Sequence, residues 1–128
     1  MGDVTLLLAT HHTSLSVANL DRSLAFWSGI LGLQKIPRPE MGVEGAWLGV
    51  GDTQVHLIVF DERRGDVGAR PNSINPAAPH VAFVVADYQS TVALLRDAGL
   101  DVLEAGEQRG QCWVQDPDGH IVEFIVTR

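Results

Sequence analysis

Hydrophobic and polar residues alternate along several short stretches of the chain, which is typical of strands with one buried face. Other stretches show helical spacing and follow Asn19 and Asp87, both good N-cap residues. The pattern predicts helices over residues 20–31, ended by Gly32, and 88–98. The predicted strands cover residues 9–18, 34–38, 44–50, 53–60, 79–86, 101–105, 111–115 and 120–127.

The two halves of the chain repeat the same order of elements, βαβββ. When His12 is aligned with His80, the predicted caps, helices and following strands fall into register, and His56 meets Glu123. Between the halves lies a segment rich in Gly, Pro and charged residues, which reads as a linker. We therefore predict an α+β fold in one domain, 1–128, with modules at 8–60 and 79–128 and a linker at 61–78.

Each of four predicted strands has an apolar face and one metal-capable residue on its other face. Three imidazoles and one carboxylate are suitable ligands for a divalent transition metal if the strands line a common concave surface. Strand alternation places His11 on the face opposite its neighbour, so we expect His11 to be structural or partly exposed, and we expect that His120 is not a ligand either. The four candidate ligands are His12, His56, His80 and Glu123.

Composition narrows the classes of partner. Acidic residues outnumber basic ones by 16 to 9, and the basic residues are dispersed, which argues against binding to nucleic acid or to an anionic membrane. The single cysteine, Cys112, excludes a disulfide within the chain and is expected to be a buried small hydrophobe. No leader-like or membrane-spanning apolar run is evident, so we expect a cytoplasmic protein.

The chain resembles the vicinal oxygen chelate superfamily, which includes glyoxalase I, extradiol dioxygenases and bleomycin-binding proteins. The resemblance rests on "HHTSLSVANLDRSLAFWSGILGL", "VHLIV", "PHVAFVVAD" and "DPDGHIVEFIV" and covers nearly the whole chain. It implies paired modules that form a cup-shaped, mostly antiparallel eight-stranded sheet with helices on the outer face. Compared position by position, the resemblance implies that the metal ligands are His12, His56, His80 and Glu123.

The resemblance leaves the ion and the assembly open. It implies one divalent ion per site, Ni, Zn, Mn, Co or Fe, with glutathione as a candidate co-substrate. It also implies a homodimer, with the site built within one chain or by exchange of modules. Glyoxalase I usually has a glutamate where this chain has His56, so this residue departs from that enzyme's pattern.

Three functions remain open at this point. The first is a glyoxalase-like lyase or isomerase that acts on a small oxygen-chelating substrate through a metal-stabilised enediolate, with Glu123 or His56 as the base. The second is an extradiol-type dioxygenase, with Fe(II) on His12, His80 and Glu123. The third is a drug- or metabolite-binding protein without catalysis, and the complete ligand set counts against it.

Further residues are candidates for binding a small-molecule substrate. Trp47 and Trp113 lie in the third strand of each module, where the superfamily often lines its cavity. Arg38 and Arg109 offer guanidinium groups that bind carboxylates through two parallel hydrogen bonds.

Overall fold

Two four-stranded sheets form the framework of the protein in its computed structural model, which describes residues 5–127. The first sheet has the order β1-β4-β3-β2 and the second has the equivalent order β5-β8-β7-β6. In each sheet the strand that comes first in the chain pairs in parallel with the strand that comes last, β1 with β4 and β5 with β8. The other pairs are antiparallel. The strands are β1 (His12–Val17), β2 (Gln34–Ile36), β3 (Gly45–Val50), β4 (Thr53–Val59), β5 (His80–Val84), β6 (Leu103–Gly106), β7 (Gln111–Gln115) and β8 (Ile121–Ile125).

The predicted α+β fold and the repeated βαβββ order are confirmed. The eight strands do not form one continuous sheet, however, because no β-ladder joins the two sheets in the part of the chain that the structure describes. Each sheet has two edge strands, β1 and β2 in the first sheet and β5 and β6 in the second. Residue 128, the predicted end of the second module, lies outside the described residues.

The helices begin at the predicted caps. Helix α1 (Leu20–Leu24) begins after Asn19, whose side chain accepts from the backbone N–H of Arg22 at 2.9 Å, and continues as a π-helical segment over Ala25–Ile30. Helix α2 (Tyr88–Asp97) begins after Asp87, whose carboxylate accepts from the N–H of Ser90 at 2.7 Å. The sequence predicted one helix over 20–31, since the apolar pattern of so short a segment does not separate α from π geometry. Neither described helix is long and apolar enough to cross a membrane.

Both halves of the chain contribute to one hydrophobic core. The Trp27 ring of the first half lies 6.1 Å from the Phe83 ring of the second, measured between centroids. Cys112 is buried in the same core, as predicted. Residues from both sheets and both helices therefore share this core, and the second faces of the sheets, which carry the candidate ligands, are available for a site.

The turn between β7 and β8, Asp116–His120, forms hydrogen bonds that connect the second half of the chain to the first. Asp118 accepts hydrogen bonds from the backbone N–H of Ala18, from Arg22 and from the Ser23 hydroxyl. Asp116 accepts from the indole N–H of Trp27 at 3.2 Å, and His120 Nε2 donates to a β1 carbonyl at 2.7 Å. These bonds hold the start of β8 beside the end of β1, and His120 is one of the residues that form them.

Candidate functional site

The first pair of candidate ligands lies on β1 and β4. His56 is 6% exposed at the middle of β4, and its ring is stacked on His12, with centroids 3.9 Å apart and planes 12° apart. Trp47, directly opposite His56 in the β3–β4 register, stacks on it as well, with centroids 4.4 Å apart. The His56 ring is therefore held in one orientation by aromatic neighbours from both adjacent strands.

His56 is held in its neutral form. Its pKa is lowered by burial and, to a smaller extent, by the charges of His12, His11 and Arg38. Its Nε2 lies 2.8 Å from the amide oxygen of Gln54. Because an amide oxygen only accepts, Nε2 carries the proton and Nδ1 has a free lone pair. A neutral imidazole with an available lone pair can bind a metal ion or accept a proton.

His11 joins this pair, contrary to the prediction that it lies on the opposite face. Its Nδ1 is 2.8 Å from the Nδ1 of His12, and its ring centroid is 6.5 Å from that of His56. The prediction was wrong because β1 begins at His12, so the alternation of a strand does not extend to residue 11.

The second pair lies on β5 and β8. Glu123 is 7% exposed, and its carboxylate accepts from Trp113 Nε1 at 3.0 Å and Gln111 Nε2 at 3.1 Å and lies 2.9 Å from His80 Nε2. His80 Nδ1 lies 2.7 Å from the carbonyl oxygen of Ala78, to which it donates. That bond fixes the ring so that Nε2 points at the carboxylate. A histidine that binds a metal through one nitrogen usually donates its other ring N–H in this way.

The two pairs occupy equivalent places in the two sheets. Trp47 is opposite His56 in the first sheet, and Trp113 is opposite Glu123 in the second. One tryptophan per module thus contacts the candidate ligand on the last strand, by stacking in one case and by a hydrogen bond in the other. Both predicted tryptophans therefore lie beside the candidate ligands.

The four candidate ligands do not form one cluster within this chain. Among residues 5–127, no group of three or more His, Cys, Asp and Glu side chains is arranged to hold a metal ion. His12 and His80 nevertheless line the same cavity, of about 320 Å³, between the edges of β1 and β5. The donor types and the orientation of His80 fit a transition metal, and one candidate ligand from each pair lines this cavity. The four side chains do not converge as expected, and the two sheets that carry them are not joined by a β-ladder.

The predicted substrate-binding arginines are separated. Arg38 donates to the carbonyl oxygen of Val43 at 2.8 Å, its buried Nε has no partner in the described part of the chain, and its charge contributes to the lowered pKa of His56. Arg109 is in the turn before β7, where the Gly110 carbonyl accepts from Val126 beyond the end of β8. Arg38 is thus electrostatically coupled to the first pair, whereas Arg109 lies at the opposite end of β8 from His120.

A larger cavity, of about 750 Å³, was not predicted from the sequence. It lies between β1, the end of β4 and the start of β5, and residues of the predicted linker close one side. His80 lines this cavity as well as the smaller one. The sequence contained one sign of this cavity, the arginines of the linker. Composition alone does not show that these arginines lie beside a site.

The two βαβββ modules carry metal-capable side chains at equivalent strand positions. A family model described as the Glyoxalase/Bleomycin resistance protein/Dioxygenase superfamily matches residues 11–118, and the chain belongs to this superfamily. The resemblance noted in the sequence is thereby confirmed.

Known proteins of the superfamily match most of the chain. A lactoylglutathione lyase of Neisseria meningitidis serogroup A is 33% identical over 127 residues, covering 89% of this chain and 87% of that protein. The glutathione transferase FosA of Serratia marcescens is 32% identical over 124 residues, covering 94% of this chain and 82% of that protein. The solved structure of the trypanothione-dependent glyoxalase I of Leishmania major has a TM-score of 0.74 at 25% identity, covering 94% of this chain and 87% of that chain.

Proposed function

We propose that the protein is a divalent-metal-dependent, glyoxalase-like lyase or isomerase that acts on a small oxygen-chelating substrate. The observation that carries this proposal is the buried Glu123 carboxylate, which is held by His80, Trp113 and Gln111 at the position where the other module holds neutral His56. The names of two relatives above, a lactoylglutathione lyase and a glyoxalase I, support the same class of reaction.

The proposed ligands are His12, His56, His80 and Glu123. When bound, a divalent ion would act as a Lewis acid that lowers the cost of negative charge on the substrate oxygens. Ni, Zn, Mn, Co and Fe all accept imidazole and carboxylate donors, so the ligand types do not select among them.

The residues of the chain supply the proton transfer. Two groups are suitable acceptors, the Glu123 carboxylate and, where His56 does not bind the metal, its Nδ1 lone pair, and both side chains are buried. Burial excludes water that would compete for the proton, and the surrounding donors and rings hold each acceptor in one orientation. Trp47 and Trp113 add flat apolar surface beside each acceptor, against which a substrate can lie.

Metal content tests the proposal. Protein purified without chelator should hold about one divalent ion per site, measured by mass spectrometry of the metals, and should gain thermal stability on loading. We expect His56→Ala to lower the metal content, and His120→Gln, a change of a histidine outside the two pairs, to leave it unaltered. Unaltered metal content with lost activity in His56→Ala would instead make His56 the acid–base group, and metal-free protein with unshifted melting would contradict the proposal.

Turnover tests the reaction. We expect the metal-loaded protein to isomerise the hemithioacetal of methylglyoxal and glutathione, with glutathione as co-substrate, and to consume no oxygen with catechols. Oxygen uptake with a catechol would favour a dioxygenase that uses His12, His80 and Glu123.

A homodimer with sites shared between chains is part of the proposal, because the two pairs do not cluster within one chain. One variant would lack the first pair (His12→Ala with His56→Ala) and another the second (His80→Ala with Glu123→Gln). If each site combines modules of two chains, mixing the unfolded variants and refolding them together should restore part of the metal binding. Restoration would not occur if each site lies within one chain.

A further inference from the structure

The larger cavity has apolar walls built from the second face of the first sheet and from the linker. Ile58 and Phe60 are 37% and 41% exposed although both are large apolar residues, and both line this cavity. Val67, from the linker, is also exposed and faces the same space. Exposed apolar side chains that share one concave surface are typical of a ligand site and rare elsewhere on a soluble protein.

Two arginines of the linker also line the cavity, Arg64 and Arg70. The guanidinium of Arg70 donates to the carbonyl oxygens of Gly68 and Asp118 and to the Ser16 hydroxyl, which are all neutral acceptors. Neither arginine forms an ion pair with a carboxylate in the described part of the chain. Both positive charges are therefore available to a ligand.

The acidic residue of the cavity does not cancel these charges. Asp61 lines the same cavity, but its carboxylate is bound by Arg63 through Nε and Nη2, both at 3.0 Å; its pKa is lowered mainly by that contact and, to a smaller extent, by the charge of Arg64. The cavity is therefore cationic, although the whole chain has a formal charge of −7. A local charge opposite to the net charge of the protein favours an anionic ligand at this place.

Arg70 is held rigidly beside the turn that joins the two halves. The carbonyl oxygen of Asp118 accepts from Arg70 Nε at 3.1 Å, and a Cβ on Gly119 would lie 3.2 Å from the Cβ of Arg70. An arginine fixed in this way loses little conformational freedom when it binds a ligand. Arg64, on the single turn of 3₁₀ helix at Glu62–Arg64, approaches the cavity from another direction.

We propose that this cavity binds an organic anion with an apolar body, and that Arg64 and Arg70 recognise its carboxylate. The apolar body would lie on Ile58, Phe60 and Val67 and would extend toward His80, which the cavity shares with the proposed metal site. This inference rests on the proposed function, because it assigns the substrate class of the same site. It also makes the linker a determinant of specificity and not only a connection.

Binding of two matched probes tests the proposal. The probes are 4-phenylbutyrate and its neutral amide, 4-phenylbutanamide, which share the apolar body and differ in charge; binding is measured by titration calorimetry. We expect the carboxylate to bind at least about tenfold more tightly than the amide, since hydrogen bonds to a charged group are stronger than those to a neutral one. Equal affinity for the two probes would overturn the proposal.

Substitutions locate the anion. We expect Arg64→Gln and Arg70→Gln each to weaken phenylbutyrate about tenfold and to leave the amide unchanged. Arg64→Gln is the safer variant, because Arg70 also supports the turn at Asp118. The matched control is Arg96→Gln, which removes the same charge from the outer helix α2 and should leave both affinities unchanged. An undiminished preference for the carboxylate in Arg64→Gln and Arg70→Gln would contradict the assignment.

The test separates this proposal from the proposed function. Metal content is measured on the same samples, and Arg64→Gln should retain the metal of the unsubstituted protein. Bound metal without carboxylate preference would overturn the anion site and leave the proposed enzyme intact. Carboxylate preference in metal-free protein would support the anion site and contradict the metalloenzyme.

Discussion

At the scale of single residues, equivalent positions in the two modules have acquired different chemistry. His56 and Glu123 face a tryptophan at the same register position, but the first is a neutral imidazole stacked between rings and the second is a carboxylate surrounded by donors. The repeat in the sequence predicted that these positions correspond. It did not predict the stacking or the donors, which come from side chains on neighbouring strands.

Cys112 allows a test of burial at the same scale. Burial raises the pKa of its thiol to about 11, the nearby charge of Glu104 adds to the effect, and the residue is fully buried. Because the thiolate is the reactive form, native protein at pH 7.5 should not react with Ellman's reagent over hours, whereas unfolded protein should react at once. Rapid reaction of the native protein would show that this part of the core opens.

At the scale of elements, the two helices begin with caps of different chemistry. Asn19 is neutral, whereas Asp87 is ionised at neutral pH, and its pKa is lowered by the hydroxyl and the backbone N–H of Ser90. A lowered pKa in the folded state means that the ionised cap stabilises the protein above its ordinary pKa of 3.8 and that this contribution is lost as pH falls through the folded value. The starts of both helices could be predicted because an N-cap acts on backbone N–H groups only a few residues away.

Two substitutions test the caps. Asn19→Ala should lower the free energy of unfolding by about 1 kcal/mol at every pH at which the protein is folded. Asp87→Ala should destabilise the protein at pH 7, and the difference from the unsubstituted protein should shrink as pH is lowered below about 4. Urea unfolding at a series of pH values measures both, and a pH-independent effect of Asp87→Ala would contradict the role of the charge.

At the scale of the whole molecule, the two halves are joined by a shared core and by the turn between β7 and β8. Asp116 is buried, its pKa is raised mainly by that burial, and its carboxylate still accepts from Trp27 and from two N–H groups of its own turn. A buried carboxylate is costly to leave without its donors. The bond from Trp27 therefore links the packing of the first helix to the conformation of the turn that leads into β8.

Trp27→Phe tests this link. The change keeps most of the ring and removes the donor to Asp116, and we expect it to lower the free energy of unfolding by about 1–3 kcal/mol. Arg22→Gln removes the ion pair of a half-exposed guanidinium to Asp118 and should cost less, because the Asp118 carboxylate still accepts from Ala18 and Ser23. Chemical denaturation followed by circular dichroism measures both, and equal effects would show that the buried bond adds nothing specific.

The order of elements, the caps, the repeat and the faces of the strands could be predicted from the sequence alone, including the faces that carry His12, His56, His80 and Glu123. These features depend on local spacing and on alternation within a strand, which can be read from the order of residues. Other features depend on the tertiary structure: the stacking of His12 on His56, the position of His11 beside them and the separation of the two pairs. The same is true of the cavity that Arg64 and Arg70 of the linker line together with His80. Those outcomes depend on how two sheets and a loop distant in sequence pack together, and no local pattern encodes that arrangement.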